Sequence, residues 1–432
     1  MKTSHYSSWG NRGSSPHYAS IPANMSQASI NYEQDSNIVY GLGRSYGDVC
    51  LNANHGLIDS RYLDRLVDYN ETDLLITCQA GVILKNLITF LDNKNKFVQV
   101  SPGTANVTVG GMVANDIHGK NHHRVGSFGN HIYSLTLLKG DGSIVECSDT
   151  NNRDLFAATI GGLGLTGMIL TVTLNLKTVN NNCIAVKSIK TKNIEHMLGL
   201  FDKTDDEYEY TVAWLDMQSN PQRGIFSCGN HAEGDVDCGS SVKAKTIPVN
   251  APNWLLNSVS SRLFNQLYYI KGKAHEYAVT SYQSFFYPLD NVEYWNRLYG
   301  RRGFYQYQFV VPYERFSSVY AEILKLIKKF SQPTYLAVLK KFGEIKSVGM
   351  LSFPRAGYTL AMDFPDKGES SLKMFASFDQ VVIDAGGAVY PAKDGRMSRD
   401  IFVRSFPRVN EFIKYKDEKF CSDFWRRVNT DG

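Results

Sequence analysis

The chain has no CxxC pair, and its seven cysteines (Cys50, Cys78, Cys147, Cys183, Cys228, Cys238 and Cys421) are scattered and odd in number. That pattern excludes a zinc-ribbon ligand set and a dense secreted disulfide framework. It reads as reduced thiols in a cytosolic chain. No Lys/Arg block accompanies the net charge of +4, so a dedicated nucleic-acid surface is not expected. No run of about 18 apolar residues occurs, which argues against a membrane-spanning helix. The opening stretch, "MKTSHYSSWGNRGSSPHYASIP", lacks the apolar region of a secretory signal. A cytoplasmic location follows as the expectation, with any membrane contact peripheral. What the chain does have is aromatic side chains, 25 Tyr and 23 Phe among 432 residues. They suit an aromatic core or a site for a large flat ligand.

Hydrophobic spacing divides the chain. Residues 1–37 are polar and read as an irregular lead-in. "NIVYGLG", "DLLITCQAG" and "FVQVSPGT" read as short strands ending in turns. Ile83, Leu84, Leu87, Ile88 and Leu91 recur at helical spacing, which predicts an amphipathic helix over 82–93. "IYSLTLLKGDGSIVECS" predicts a hairpin turning at 140–142. A short helix over 153–160 and an alternating strand in "MILTVTLNLKT" complete a compact unit of short elements, unlike a doubly wound sheet. The composition shifts near Asn180-Asn181-Asn182. Beyond it, long strands ("EYEYTVAWLDM", "GFYQYQFVVP", "YTLAMDFP") alternate with amphipathic helices over 315–330 and 371–386, which suggests a second α+β domain. The stretch 242–277 fits neither pattern and reads as a mobile lid or insertion.

Three glycine loops are suited to backbone contact with an anion: "GLGRSYGD" (Gly41–Asp48), "SPGTANVTVGG" (Ser101–Gly111) and "GGLGLTG" (Gly161–Gly167). Each alone is as well explained by a tight turn. Together they bracket a histidine-rich segment, "NDIHGKNHHRVGSFGNH", which suggests one shared ligand. Its histidines lack a neighbouring Cys or an HxxxH helix, and Gly119 and Asn121 argue against any helix there, so no metal is expected. Two readings stay open: a surface loop with local hydrogen bonds, or a loop wrapped around a cofactor.

These stretches, with "WGN" at Trp9, "VAWLD", "YQFVVP", "GYTLAMDFP" and "YPAKDGR", occur in the order found in one family and span nearly the whole chain. The sequence resembles the FAD-binding oxidases of the vanillyl-alcohol-oxidase class, and within them the decaprenylphosphoryl-β-D-ribose 2′-oxidase family. The resemblance implies an α+β, two-domain PCMH-type FAD-binding fold. Residues 1–180, completed by the tail 386–432, would bind FAD. Residues 181–385 would form an antiparallel-sheet substrate domain, with 242–277 as its mobile segment. The implied cofactor contacts are Gly41, Gly43, Arg44, Ser45, Tyr46 and Gly47 in the first loop, and Pro102, Gly103, Thr104, Thr108, Gly110 and Gly111 in the second. The histidine segment would add Asn115, His118, Gly119, Asn121, His122, His123, Ser127, Gly129 and Asn130, and the third loop Gly162, Gly164 and Gly167. Many relatives link flavin covalently through a histidine at the position of Arg44, so FAD is expected to be held non-covalently.

The implied reaction is hydride transfer from the 2′-carbon of a polyprenyl-phosphoryl ribose to flavin N5, giving a keto sugar, the first half of an epimerisation to the arabinose form. A separate NAD(P)H-dependent reductase would complete it. Lys393, Lys340, Tyr46 and His118 are the implied catalytic residues. Trp214, Gln306, Gln308, Lys340, Thr359 and Lys393 would meet the substrate. Period-2 spacing alone puts Gln306 and Gln308 on one sheet face and Tyr305 and Tyr307 on the other. The family carries a cysteine where this chain has Ala361, which bears on fine specificity. Alternatives are a flavin oxidase or dehydrogenase of a soluble sugar, alditol or aldonolactone, and a catalytically idle flavin-binding partner subunit. Within 242–277, Trp254, Leu255, Leu256, Leu263, Phe264 and Leu267 lie among Lys243, Lys245, Arg262, Lys271 and Lys273. That mix fits docking on anionic lipid or, equally, a domain-packing helix.

Overall fold

A computed structural model describes all residues except 1–2, 13, 31–32, 235, 237, 239–243, 273 and 430–432. Three sheets organise it. The first has four strands in the order Thr3–Tyr6, Ser15–Ser20, Gly56–Asp59, Asn37–Tyr40. The lead-in is therefore not irregular: its polar residues form two strands, of which Ser15–Ser20 runs parallel to Gly56–Asp59. Short, half-buried strands do not need an apolar signature, so composition hid them.

The second sheet is antiparallel, with Leu66–Asn70, Leu75–Gln79, Met168–Thr178, Ile132–Leu138 and Ile144–Ser148 in that order, and Lys96–Val98 paired to the far end of Met168–Thr178. Helix Leu84–Asp92 packs against it through Leu84, Leu87, Ile88 and Leu91, the positions that its spacing predicts. The hairpin Ile132–Ser148 turns through Gly142 at positive φ, where a glycine carries no Cβ penalty.

The third sheet has eight strands in the order His275–Ser281, Cys183–Thr191, Gly224–His231, Tyr210–Leu215, Ala337–Phe342, Gly357–Pro365, Phe304–Val311, Ala388–Val389. All its pairings are antiparallel. Helices Tyr313–Lys329 and Glu369–Asp384 pack on one face, where Tyr307 stacks on Phe375 and Tyr305 tilts against it. Gln306 and Gln308 take the opposite face by the strand period and are buried there.

The tail returns to the first sheet. Asn37 N–H donates to the Lys419 carbonyl, Cys421 N–H to the Asn37 carbonyl, and Arg427 pairs with Asp48 at 2.7 Å. Gly47 lies so close to the Asp394 carbonyl that a Cβ would stand 1.5 Å from its oxygen. The "GLGRSYGD" and "YPAKDGR" stretches thus meet, and Tyr46 N–H donates to the Ala392 carbonyl at 2.9 Å.

One expectation needs correction here. Cys183 and Cys238 form a disulfide, their Cα atoms 5.6 Å apart. The antiparallel pairing of Cys183–Thr191 with Gly224–His231 carries the following chain back to the start of the first strand, and a sequence separation of 55 concealed that meeting. The other five cysteines are free.

Candidate active site

A cavity of about 550 Å³ opens between the glycine loops and the third sheet. All three loops reach it: Gly41, Gly43, Arg44, Ser45 and Tyr46 from the first, Pro102, Gly103, Thr104, Thr108, Gly110 and Gly111 from the second, Gly164 and Gly167 from the third. The first loop follows strand Asn37–Tyr40, the second follows Lys96–Val98 and opens helix Val109–Ala114, and the third joins helix Arg153–Thr159 to strand Met168–Thr178. Gly110 packs on Ala80, with its N–H on the Ala80 carbonyl, and Gly41 packs so closely on Thr108 that a Cβ would lie 2.4 Å from its hydroxyl. The Thr108 hydroxyl caps helix Val109–Ala114, accepting from Gly111 N–H at 3.3 Å.

The histidine segment contributes less than the resemblance implies. Asn115, Ile117 and His118 line the cavity; Gly119, Asn121, His122, His123, Ser127, Gly129 and Asn130 do not. Their groups lock the segment to its surroundings instead. Buried Asp116 accepts from Ser127 Oγ, Ser352 Oγ and Gly129 N–H. Asn130 Nδ2 donates to the Lys346 carbonyl, Asn121 Nδ2 to the Gln99 carbonyl, and His123 Nε2 meets the Tyr208 carbonyl. His122 accepts from Gly343 N–H while its ring packs on Phe342. A one-turn helix, His122–Val125, starts directly after Asn121. Gly119 lies before it and does not oppose it, so the expectation of no helix fails. Gly47 and Gly162 serve close packing, and the Trp214 ring tilts against Tyr268 away from the cavity.

The far wall is polar. Gln306, Gln308, Lys340, Thr359 and Lys393 face the cavity, with Ala361 between them. His118 Nε2 lies 2.8 Å from Gln308 Nε2, and His118 Nδ1 lies 3.4 Å from Lys340 Nζ. Lys393 Nζ stands 4.1 Å from the centre of the Tyr46 ring. Burial lowers the Lys340 pKa to about 7, helped by the Lys393 charge. Burial likewise lowers Lys393 to about 8, against the opposing pull of Asp363. Burial holds His118 well below the usual imidazole range, with Lys340, His122 and Lys393 adding to it. Tyr46 is pushed well above the usual phenol value by burial, then by the Asp363 charge.

Several residues escape sequence reasoning. Asp363, paired in register with Gln306, accepts from Gln306 Nε2 at 2.6 Å. Burial pushes its carboxyl up to about 7. Its alternation with Thr359 and Ala361 was the available signal. Tyr390 donates to the Asn115 carbonyl and stacks on Phe353. Leu289, Asp290, Tyr294 and Trp295 close another side, and Asp290 ties that segment to the second loop through Thr104 Oγ1 and Ala105 N–H. Nothing local in the sequence announces that contact, which spans 186 residues.

The lining fits FAD. The glycine loops let backbone approach a pyrophosphate, and the aromatic and amide walls suit a flat heterocycle. Arg44 Nε and Asn115 Oδ1 are buried on this wall with no hydrogen-bond partner among the described residues, so each can meet a ligand. The Arg44 guanidinium lies over the Trp9 ring at 4.0 Å.

Comparisons with known proteins agree. Residues 29–148 match an FAD binding domain model. The chain is 35% identical over 411 residues to the decaprenylphosphoryl-beta-D-ribose oxidase of Mycolicibacterium smegmatis, covering 90% of this chain and 88% of that one. It is 26% identical to an uncharacterized protein of Streptomyces coelicolor, over 77% of this chain and 95% of that one. The L-gulonolactone oxidase of Mus musculus is 33% identical over 138 residues, 32% of this chain and 30% of that one. Fold, cavity and matches together define an FAD-dependent oxidoreductase of the PCMH type, acting on CH–OH groups. Within that class, the chain belongs to the decaprenylphosphoryl-β-D-ribose oxidase family.

Proposed function

We propose that this protein oxidises the 2′-hydroxyl of a polyprenyl-phosphoryl ribose to a ketone. The observation that carries the reading is one cavity with an FAD cradle on one side and two amides and two lysines on the other. FAD, when bound, supplies the two-electron acceptor. The protein's part is to orient the sugar and take its proton. Gln306, Gln308 and Thr359 offer polar groups to a sugar, and the two lysines stand where a proton acceptor or an anion partner is needed. His118 acts on them through Lys340 and Gln308, and Tyr46 packs under Lys393. Arg44 in place of a linking histidine supports non-covalent FAD. The lead-in, glycine loops and tail would form the FAD-binding domain, and the eight-stranded sheet the substrate domain. A ketone product leaves epimerisation incomplete, so a separate NAD(P)H-dependent reductase is the expected partner.

A lipid-linked substrate lies at a bilayer surface. Among the described residues no helix is long and apolar enough to cross a membrane. Helix Ser258–Lys271 supports peripheral docking instead. Its inner face is polar: Ser261 and Asn265 are buried, and Asn265 donates to Asp216. Its outer face exposes Val259, Leu263, Leu267 and Ile270, the reverse of a surface helix in water. Arg262, Lys271 and Lys245 are exposed nearby, and no Asp or Glu occurs from 238 to 275. Lys243 and Lys273 lie outside the described residues. Apolar and cationic groups without acidic ones suit an anionic lipid surface.

Anaerobic titration with a short-chain polyprenyl-phosphoryl ribose, against free ribose and L-gulonolactone, tests the reading. Bleaching of the flavin by the lipid-phosphate sugar alone is expected. Bleaching by a soluble sugar or lactone alone, or by none, would overturn it.

A further inference from the structure

The polar chain behind Lys340 leaves one choice of hydrogen-bond direction. Thr359 Oγ1 donates its single proton to the Phe309 carbonyl at 2.8 Å. Toward Gln308, 3.1 Å away, that hydroxyl can therefore only accept. The Gln308 amide must present Nε2 to it, because the flipped amide would set two acceptor oxygens against each other. The same Nε2 faces His118 Nε2 at 2.8 Å. An amide nitrogen only donates, so His118 Nε2 accepts and the ring proton sits on Nδ1. Nδ1–H then points to Lys340 Nζ, 3.4 Å away. An ammonium there would oppose N–H to N–H, whereas a free amine has a lone pair to accept.

We propose that Lys340 is the general base of the reaction, held as a free amine by the Thr359–Gln308–His118 chain, while Lys393 keeps its charge. This assignment rests on the alcohol-oxidase reading above. The titratable groups around Lys340 agree with it. His118, Lys120 and His122 come from the loop that faces it, and Lys393 from the tail; none is a carboxylate. Lys393 differs because Asp363 acts on it and favours its ammonium form. In the reaction the carbinol O–H bond breaks and its proton passes to Lys340 Nζ, which becomes an ammonium. FAD, when bound, would take the hydrogen and electron pair of the C–H bond as a two-electron acceptor, leaving the carbon as the ketone. Thr359, Gln308 and His118 are positioning residues.

The test has two arms, both on the FAD-loaded protein. With 13C-labelled lysine, the Lys340 Cε signal, assigned by its loss in Lys340→Met, should titrate at about pH 7, and long-range 1H–15N spectra should show His118 protonated on Nδ1. A Lys340 signal that stays at its ammonium position to about pH 9, or an Nε2–H tautomer, overturns the proposal. In the kinetic arm, anaerobic flavin reduction by a short-chain polyprenyl-phosphoryl ribose should quicken with pH through a limb near 7. Lys340→Met should slow it by about 10²–10⁴-fold and erase the limb; a variant that keeps both rate and limb overturns the proposal. Thr359→Val frees the Gln308 amide and should move the limb to higher pH, and Thr359→Ser should restore it. An unmoved limb in Thr359→Val refutes the positioning chain. If the lipid-phosphate sugar fails to reduce the flavin, the substrate reading falls, and the spectroscopic arm still decides the state of Lys340.

Discussion

Lys393 places a cation over the Tyr46 ring on the cavity wall, beside the tail segment that packs on the first glycine loop. A charge held there would stabilise negative charge developing on bound FAD as it is reduced. Lys393→Ala should fold and keep its yellow colour while single-turnover reduction falls by about 10²–10³-fold; a near-normal rate would remove Lys393 from the chemistry. At Arg44 the prediction concerns attachment. Acid precipitation should leave flavin in the supernatant, and colour in the pellet would contradict the reading of that position. Asp363 offers a pH prediction. Its folded pKa of about 7 lies above its ordinary 3.8, because burial outweighs Gln306 and Lys393. Between those values the folded state binds the proton more tightly than the unfolded one. The stability from this group is therefore full below the lower value and is lost as pH rises to the upper one. Asp363→Asn should melt higher than wild type at about pH 8 and converge with it at about pH 4. A variant destabilised equally at both would refute the account.

The stretch that holds helix Ser258–Lys271 reads in sequence as a lid or insertion, suited equally to lipid docking or to a domain-packing helix, and which face turns inward is not legible there. Burial decided that: Trp214 and Asp216 of the neighbouring strand and turn meet Tyr268 and Asn265, and the aliphatic stripe is left outside. The docking prediction belongs to this element. Sedimentation with phosphatidylglycerol vesicles should bring the protein down, and neutral phosphatidylcholine vesicles should not. Leu263→Ser with Leu267→Ser should abolish binding and leave the melting temperature unchanged, because both side chains are exposed. Binding that survives the double variant would exclude this helix as the docking element. The histidine segment teaches the same lesson in reverse. Its composition pointed to ligand contact throughout, yet most of its polar groups are spent on Asp116, Tyr208, Gly343 and Lys346. Polar side chains in a buried loop must satisfy one another before they can serve a ligand.

At the scale of the whole molecule, the tail closes the N-terminal unit and the disulfide ties the start of strand Cys183–Thr191 in the largest sheet to Cys238, beyond strand Gly224–His231. Thiol titration of the denatured, unreduced protein should count five thiols, rising to seven after reduction. Seven without reduction would return Cys183 and Cys238 to the free state.

The motifs and their order carried the resemblance to the FAD-binding class, and the sequence by itself determined a helix over 82–93, observed as Leu84–Asp92, the hairpin, the long strands and the two-faced pattern of Gln306 and Gln308. The helix, hairpin, strands and face pattern depend on local spacing and on turn residues, which act over a few positions. Only the tertiary structure decided which glycines face the cavity, that Cys183 meets Cys238, that Asp363 lies behind Gln306, and which lysine stands next to His118. Each of these is a contact between segments far apart in the chain. The burial that shifts Lys340, Lys393 and Asp363 arises only when the glycine loops, the tail and the eight-stranded sheet enclose them together.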